Sequence, residues 1–194
     1  MSNENVLCIA TDWLQERFDL GRGYWTCTQD TINSFPYTFI SRQYAENDFS
    51  HKQVIPYAIV FNRKGEVLSY ERCGSEKRLS GLNSAGIGGH VNDSDGGNTL
   101  YSRVISGLRR EINEELGIEV AQEQLTFLGM INEEETNVGH CHIGLVFKVM
   151  VESDQINYEN EIYHPRWELP HLLDLSRFEL WSALAIKLEQ ICHS

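Results

Sequence analysis

The sequence is short of positive charge. It sets 16 Lys and Arg against 28 Asp and Glu, a formal net charge of −12. Duplex nucleic acid and anionic lipid are both held by clustered cations, so neither is expected as the main partner. The sequence also lacks any Cys-x-x-Cys pair: Cys8, Cys27, Cys73, Cys141 and Cys192 stand apart, and their number is odd. A zinc knuckle or a disulfide framework is therefore not expected, and a reducing, cytoplasmic setting fits better. No apolar run exceeds strand length and no basic segment follows Met1-Ser2-Asn3-Glu4. Neither a membrane span nor a signal peptide is expected. Internal repeats and low-complexity tracts are missing as well.

What is present reads as globular: 194 residues, 41% hydrophobic and 23% charged, enough for one domain with an extension. In the first fifty residues Val6–Phe18 is expected to be helical, ended by Gly21 and Gly23. Tyr57–Phe61 and Val67–Tyr70 flank the turn Arg63-Lys64-Gly65 and predict a hairpin. The span 81–97 is glycine-rich and predicts a loop, and Thr99–Leu116 predicts a helix with Gly117 at its C-terminal cap. Leu125–Ile131 and Cys141–Val151 read as strands, the second with Ile143, Leu145, Phe147, Val149 and Val151 on one face. Ser176 and Glu179 have capping-box spacing before a last helix striped with Trp181, Leu184, Ala185, Leu188 and Ile191. The sum is a mixed α/β domain.

The most informative stretch is Arg110-Glu111-Ile112-Asn113-Glu114-Glu115-Leu116-Gly117-Ile118. At roughly 100° per residue, Ile105, Leu108, Ile112 and Leu116 form a buried stripe, while Glu111, Glu114 and Glu115 share an adjoining arc of about 100°. Like charges at this spacing repel unless something offsets them, and a hard cation such as Mg²⁺ takes oxygen ligands. A solvated acidic face is the alternative. Gly107, on the same arc, leaves room for ions and phosphate oxygens. Between Glu111 and Phe147 eight acids occur with no Lys or Arg, a local excess of negative charge.

These residues resemble the Nudix hydrolase (MutT-like) family. Its box reads Gly, five residues, Glu, seven residues, then Arg-Glu-apolar-x-Glu-Glu-x-Gly-apolar. Arg110–Ile118 match the second half at every fixed position, and Gly88-Gly89, followed by His90-Val91-Asn92, looks like the opening. The resemblance implies a Nudix-type α/β/α sandwich with a central mixed sheet and a loop-helix-loop catalytic motif. It divides the chain into an N-terminal extension, 1–53, and a Nudix domain, 54–194. There are two departures. Gly89 and Arg110 lie 21 positions apart against 14 in the family, an insertion of 7 placed in Asn92–Asn98. Counted back from Arg110, the early glutamate position is Ser102, which puts the support of Arg110 in question.

Carried over by position, Glu111, Glu114, Glu115 and the Gly89 carbonyl would hold Mg²⁺, with Mn²⁺ as the alternative cation. Arg110 belongs with these catalytic residues, and Glu111 doubles as a candidate base. Glu161, six residues before Trp167, looks like the family's late metal glutamate, while Glu133, Glu134 and Glu135 compete for that role or form a solvated turn. The implied reaction is hydrolysis of a diphosphate linkage in a small-molecule nucleoside diphosphate derivative. Arg72, Lys77 and Arg78 are candidates for meeting phosphates, Tyr24, Trp25, Tyr57 and Tyr70 for stacking a base, and His90 for touching the site. His140 and His142 read as strand-end residues and Cys141 as a small apolar one. The extension roofs the pocket or builds a homodimer interface. The competing functions are a nucleotide-sensing module without turnover, and isopentenyl diphosphate isomerase chemistry, for which Cys73 alone is too slight.

Overall fold

A computed structural model of the chain describes residues 4–21, 23–72, 82–152, 156–158 and 162–193. In order these form β1 (Asn5–Ala10), α1 (Thr11–Gln15), β2 (Gly23–Trp25), α2 (Gln29–Asn33), β3 (Thr38–Ser41) and α3 (Arg42–Ala45). There follow β4 (His51–Phe61), β5 (Val67–Arg72), β6 (Asn83–Ser84), β7 (Gly86–Gly88) and α4 (Leu100–Leu116). The last are β8 (Leu125–Asn132), α5 (Asn137–Cys141), β9 (His142–Met150), β10 (Ile162–Glu168) and α6 (Leu180–Cys192).

One mixed sheet organises the molecule, in the order β10-β5-β4-β9-β8-β2. β4 and β9 run parallel, with Gln53 opposite His142 and Tyr57 opposite Val146, while β8 and β9 run antiparallel. The free edge of β4 is shared out along its length. It pairs with β1 at His51–Gln53, with β7 at Tyr57–Ile59 and with β5 at Phe61. Because strand side chains alternate, Val54, Ala58 and Val60 pack with Val104, Leu108 and Ile112 of α4. Tyr57, Ile59 and Phe61 pack with Leu184, Ala185 and Leu188 of α6. The two long helices thus cover opposite faces, the expected α/β/α arrangement. The stripe expected on α4 is fully buried at Leu108, Ile112 and Leu116, and each such side chain contributes on the order of 2 kcal/mol.

The ends of α4 follow from its sequence. The Thr99 hydroxyl accepts from Ser102 N at 3.2 Å, and Thr99 N donates to the Ser102 hydroxyl at 2.9 Å, a reciprocal cap. Gly117 closes the helix at φ 64°, a left-handed conformation that suits glycine.

Several local expectations change. Val6–Phe18 is not one helix: Val6–Ile9 is a buried strand and only Thr11–Gln15 is helical. The glycine-rich span contains β6 and β7 rather than loop alone. Ser176 and Glu179 form no capping box; Asp174 accepts from Ser176 N, and Glu179 turns inward. Ile191 leaves the α6 stripe and is exposed.

Candidate active site

A cavity of about 850 Å³ opens on the α6 side of the sheet, over the first half of β4. Ile55 and Tyr57 of β4 line it together with Gly86 and Gly88 of the neighbouring β7. At the α6 end the Tyr57 hydroxyl donates to Glu179 Oε1 at 3.0 Å, as does the Ser84 hydroxyl at 2.7 Å. The Trp181 ring meets Tyr57 edge-on at 5.8 Å and also lines the cavity. Of the aromatic residues considered for base stacking, Tyr57 and Tyr70 reach this space, whereas Tyr24 and Trp25 sit on the edge strand β2. Trp181, expected on the apolar stripe of the last helix, packs against the core on that face and, from the helix start, also forms part of the cavity wall.

Glu111 and Glu115 of α4 both line the cavity beside Gly88 and Gly89. A Cβ at Gly89 would overlap the Glu111 carboxylate, so any side chain there would displace that carboxylate from its present place beside the loop. Glu114 lies furthest from the buried stripe of α4. Its side chain is 58% exposed and stands 3.4 Å from Arg110 Nη1, outside the cavity lining. Burial raises the Glu111 carboxyl above its ordinary range, and the Arg110 pairing at 2.6 Å opposes that without cancelling it.

The support of Arg110 is present after all, in a residue that sequence reasoning passed over. Asp95, 5% exposed, takes the guanidinium in a two-pronged pair: Nε to Oδ1 at 3.1 Å and Nη2 to Oδ2 at 3.0 Å. Arg110 Nη2 also donates to the His90 carbonyl at 2.7 Å, tying α4 to the glycine loop. Asp95 Oδ2 accepts from Asn92 N at 2.8 Å. Asp95 stands six positions after Gly89, the place of the box glutamate, so a count forward from Gly89 finds a carboxylate there. Counted this way, the extra residues begin after Asp95, so Asn92–Asn98 holds at most the start of the insertion, and Ser102 serves the capping box of α4. Gly107 does not leave space for ions either: a Cβ there would stand 3.0 Å from Asp95 Oδ2, so its bareness admits Asp95.

The β8–β9 connection closes another side. Its glutamates differ in exposure: Glu135 is solvated as a surface turn residue would be, Glu134 is half-buried and Glu133 is buried. Glu133 is 1% exposed and its carboxylate accepts from Glu135 N at 2.6 Å and Thr136 N at 3.0 Å. Glu134 pairs with the buried Lys52 at 2.7 Å and with His140 at 2.6 Å. Glu133 and Glu135 line the cavity, and Glu134 does not. His90 and His142 meet there through their Nε2 atoms at 3.3 Å, while His142 Nδ1 donates to the Val138 carbonyl at 2.8 Å.

Burial, aided by Arg42, His142 and Arg110, pushes the His90 imidazole down to about 3 from 6.5. The unfolded chain then binds a proton between those values that the folded chain does not. His90 therefore contributes stability that is full above about pH 6.5 and is lost as pH falls toward 3. His90→Gln should flatten the fall of Tm between pH 7 and pH 4; melts of variant and wild type with equal slopes would contradict the assignment.

The donors suit a hard divalent cation. The two α4 carboxylates Glu111 and Glu115 border the cavity beside the glycine loop, and Mg²⁺ is commonly held through one or two carboxylates with water and substrate phosphates completing its shell. Among the described residues no three His, Cys, Asp or Glu converge on one point. Glu161, Cys73, Lys77 and Arg78, and the side chain of Arg72, lie outside the described residues.

No family model matches the chain. It is 35% identical over 159 residues to Protein YmaB of Bacillus subtilis (strain 168), an overlap of 77% of either chain. The solved structure of Tm1382, a candidate Nudix hydrolase, superposes with a TM-score of 0.78 at 29% identity, covering 96% of this chain and 100% of that one. The Nudix domain of Shewanella oneidensis NrtR, crystallised with ADP ribose, shares the fold at a TM-score of 0.56 and 13% identity, over 80% and 99% of the two chains. The glycine loop, the glutamate helix and these likenesses agree, and the chain belongs to the MutT-like Nudix hydrolase family.

Proposed function

We propose that this protein is a Mg²⁺-dependent pyrophosphohydrolase that cleaves the diphosphate linkage of a nucleoside diphosphate derivative, with Mn²⁺ able to replace Mg²⁺. The observation that carries this reading is the convergence of Glu111, Glu115, Gly88 and Gly89 on one cavity whose far wall is aromatic. The bound cation would supply neutralisation of the phosphate oxygens and of the leaving group. Glu111 and Glu115 would hold it with the Gly89 carbonyl, and Glu114 would join by leaving its contact with Arg110 at 3.4 Å. Arg110, locked by Asp95, keeps Glu111 and the His90 carbonyl in register. Glu111 is placed to orient or deprotonate water. Trp181, half-buried on the cavity wall and backed by the buried Tyr57, offers its ring to a base.

The free thiols Cys8, Cys27, Cys141 and Cys192 fit a reducing cytoplasm. Among the described residues no helix is long and apolar enough to cross a membrane.

The test is a panel of nucleotide sugars, dinucleoside polyphosphates, ADP-ribose, NADH and nucleoside triphosphates, with products separated by chromatography. Release of a nucleoside monophosphate or phosphate from at least one member is expected. Binding of a panel member with no product would replace hydrolysis by nucleotide sensing, as a domain of this fold crystallised with ADP ribose allows.

A further inference from the structure

The cavity has two unlike ends. At the Tyr57 end the start of α6 brings Trp181, Leu180 and the buried Glu179. At the opposite end, where β4 pairs with β1, the residues come from the N-terminal segment. β3 pairs with β1 and leads directly into α3, so Arg42 and Glu46 stand over the first residues of β4, and Glu4 precedes β1. Arg42 donates from Nη1 to Glu4 Oε2 at 3.0 Å and from Nε to Glu46 Oε1 at 3.1 Å. The backbone fixes the same pair, with Arg42 N donating to the Glu4 carbonyl at 2.9 Å.

Charge decides what this end accepts. Seven glutamates line the cavity and Arg42 is the one Lys or Arg that does so among the described residues. That guanidinium is not available as an anion receptor, because it is bracketed by two carboxylates and the trio carries a net charge of −1. A phosphate reaching it would have to displace a carboxylate and leave two negative groups facing each other. A hydroxyl group does the reverse. It donates to either carboxylate and accepts from the N–H groups that Arg42 still has after its two side-chain bonds, since a guanidinium carries five. Resting on the reading of the cavity as a diphosphate hydrolase site, we infer that Glu4, Arg42 and Glu46 select a nucleoside diphosphate whose second phosphate bears an uncharged, hydroxyl-rich group, and disfavour one that ends in a further phosphate. The N-terminal segment is then a specificity wall of the active site, and these three are specificity-determining residues rather than catalytic ones.

ADP-glucose and ATP make a matched pair, because both present adenosine diphosphate and differ in the group beyond it. For the full-length protein with Mg²⁺, kcat/KM is expected to favour ADP-glucose by about 10-fold or more. Glu4→Gln combined with Glu46→Gln keeps the shape of the trio and reverses its charge to +1. That variant should lower the KM for ATP, raise the KM for ADP-glucose and shrink the preference to about 3-fold or less. Arg42→Lys should raise the KM for ADP-glucose with little change in kcat. Equilibrium binding of both nucleotides by calorimetry, with Mg²⁺ present, keeps this inference separable from the assignment of hydrolysis. If neither nucleotide is cleaved but ADP-glucose binds more tightly and the double variant reverses the order, the selectivity stands without the catalysis. A wild-type preference for ATP, a preference the double variant leaves unchanged, or no binding of either nucleotide overturns the inference.

Discussion

Glu115→Gln is expected to reduce turnover of any substrate found by about 10²-fold or more, with the loss mainly in kcat. Glu115 borders the buried stripe of α4 and lines the cavity next to Gly89 and Glu111. Gln preserves its size but gives up the charge that a divalent cation needs. The fold should not suffer. Removing one of three neighbouring like charges relieves repulsion along the helix face, so Tm should be unchanged or slightly raised. Activity lost with stability kept is the signature of a functional carboxylate. A variant that turns over at the wild-type rate would remove Glu115 from the site.

The second large effect is expected at Asp95, and it should fall on both readouts. Asp95→Ala leaves the Arg110 guanidinium without its two-pronged partner and the Asn92 amide without its acceptor. Breaking such a pair on its buried side costs about 3 kcal/mol. At roughly 2–4 °C per kcal/mol for a chain of this size, Tm should drop by about 6–12 °C. Because Arg110 also holds Glu111 and the His90 carbonyl, turnover below Tm should fall too. Asp95→Glu, which restores the family's usual residue type, should recover part of both losses. A thermal melt within about 2 °C of wild type would show that Arg110 is held in some other way.

The long amphipathic elements were legible because one physical rule governed each of them. α4 shows a helical apolar stripe and a closing glycine, and the structure bears out both, with Thr99 as the cap that starts it. β9 carries apolar residues at every second position from Ile143 to Val149, and that face enters the α4 side of the core. β1 was misread because Val6–Ile9 is a continuous apolar run. A strand buried on both faces has no period to separate it from a helix. The false cap at Ser176 shows the weakness of a spacing rule where tertiary contacts compete: Glu179 is drawn to Tyr57, Ser84 and Ser182 instead of its own helix end.

In the candidate site, Glu111, Glu115 and Gly89 were readable from position, while Asp95 was not, because the count was anchored on Arg110 across an insertion. Which of the β8–β9 glutamates are buried was not readable either. Glu133 is turned inward to cap the backbone N–H groups of Glu135 and Thr136, while Glu134 is drawn to Lys52, a distant residue whose ammonium is completely enclosed and also bonded to the Gly139 carbonyl. The cavity's third wall, from Glu4, Arg42 and Glu46, arises from strand pairing across the N-terminal segment, which no local pattern announces.

The measurement that bears most directly on the central claim is the divalent-cation dependence of turnover. With metal stripped by a chelator, the wild-type protein should release no product from a substrate it otherwise cleaves, and Mg²⁺ added back should restore the rate with saturation. Undiminished turnover in excess chelator would contradict the account, because the carboxylates facing the glycine loop would then have no cation to hold.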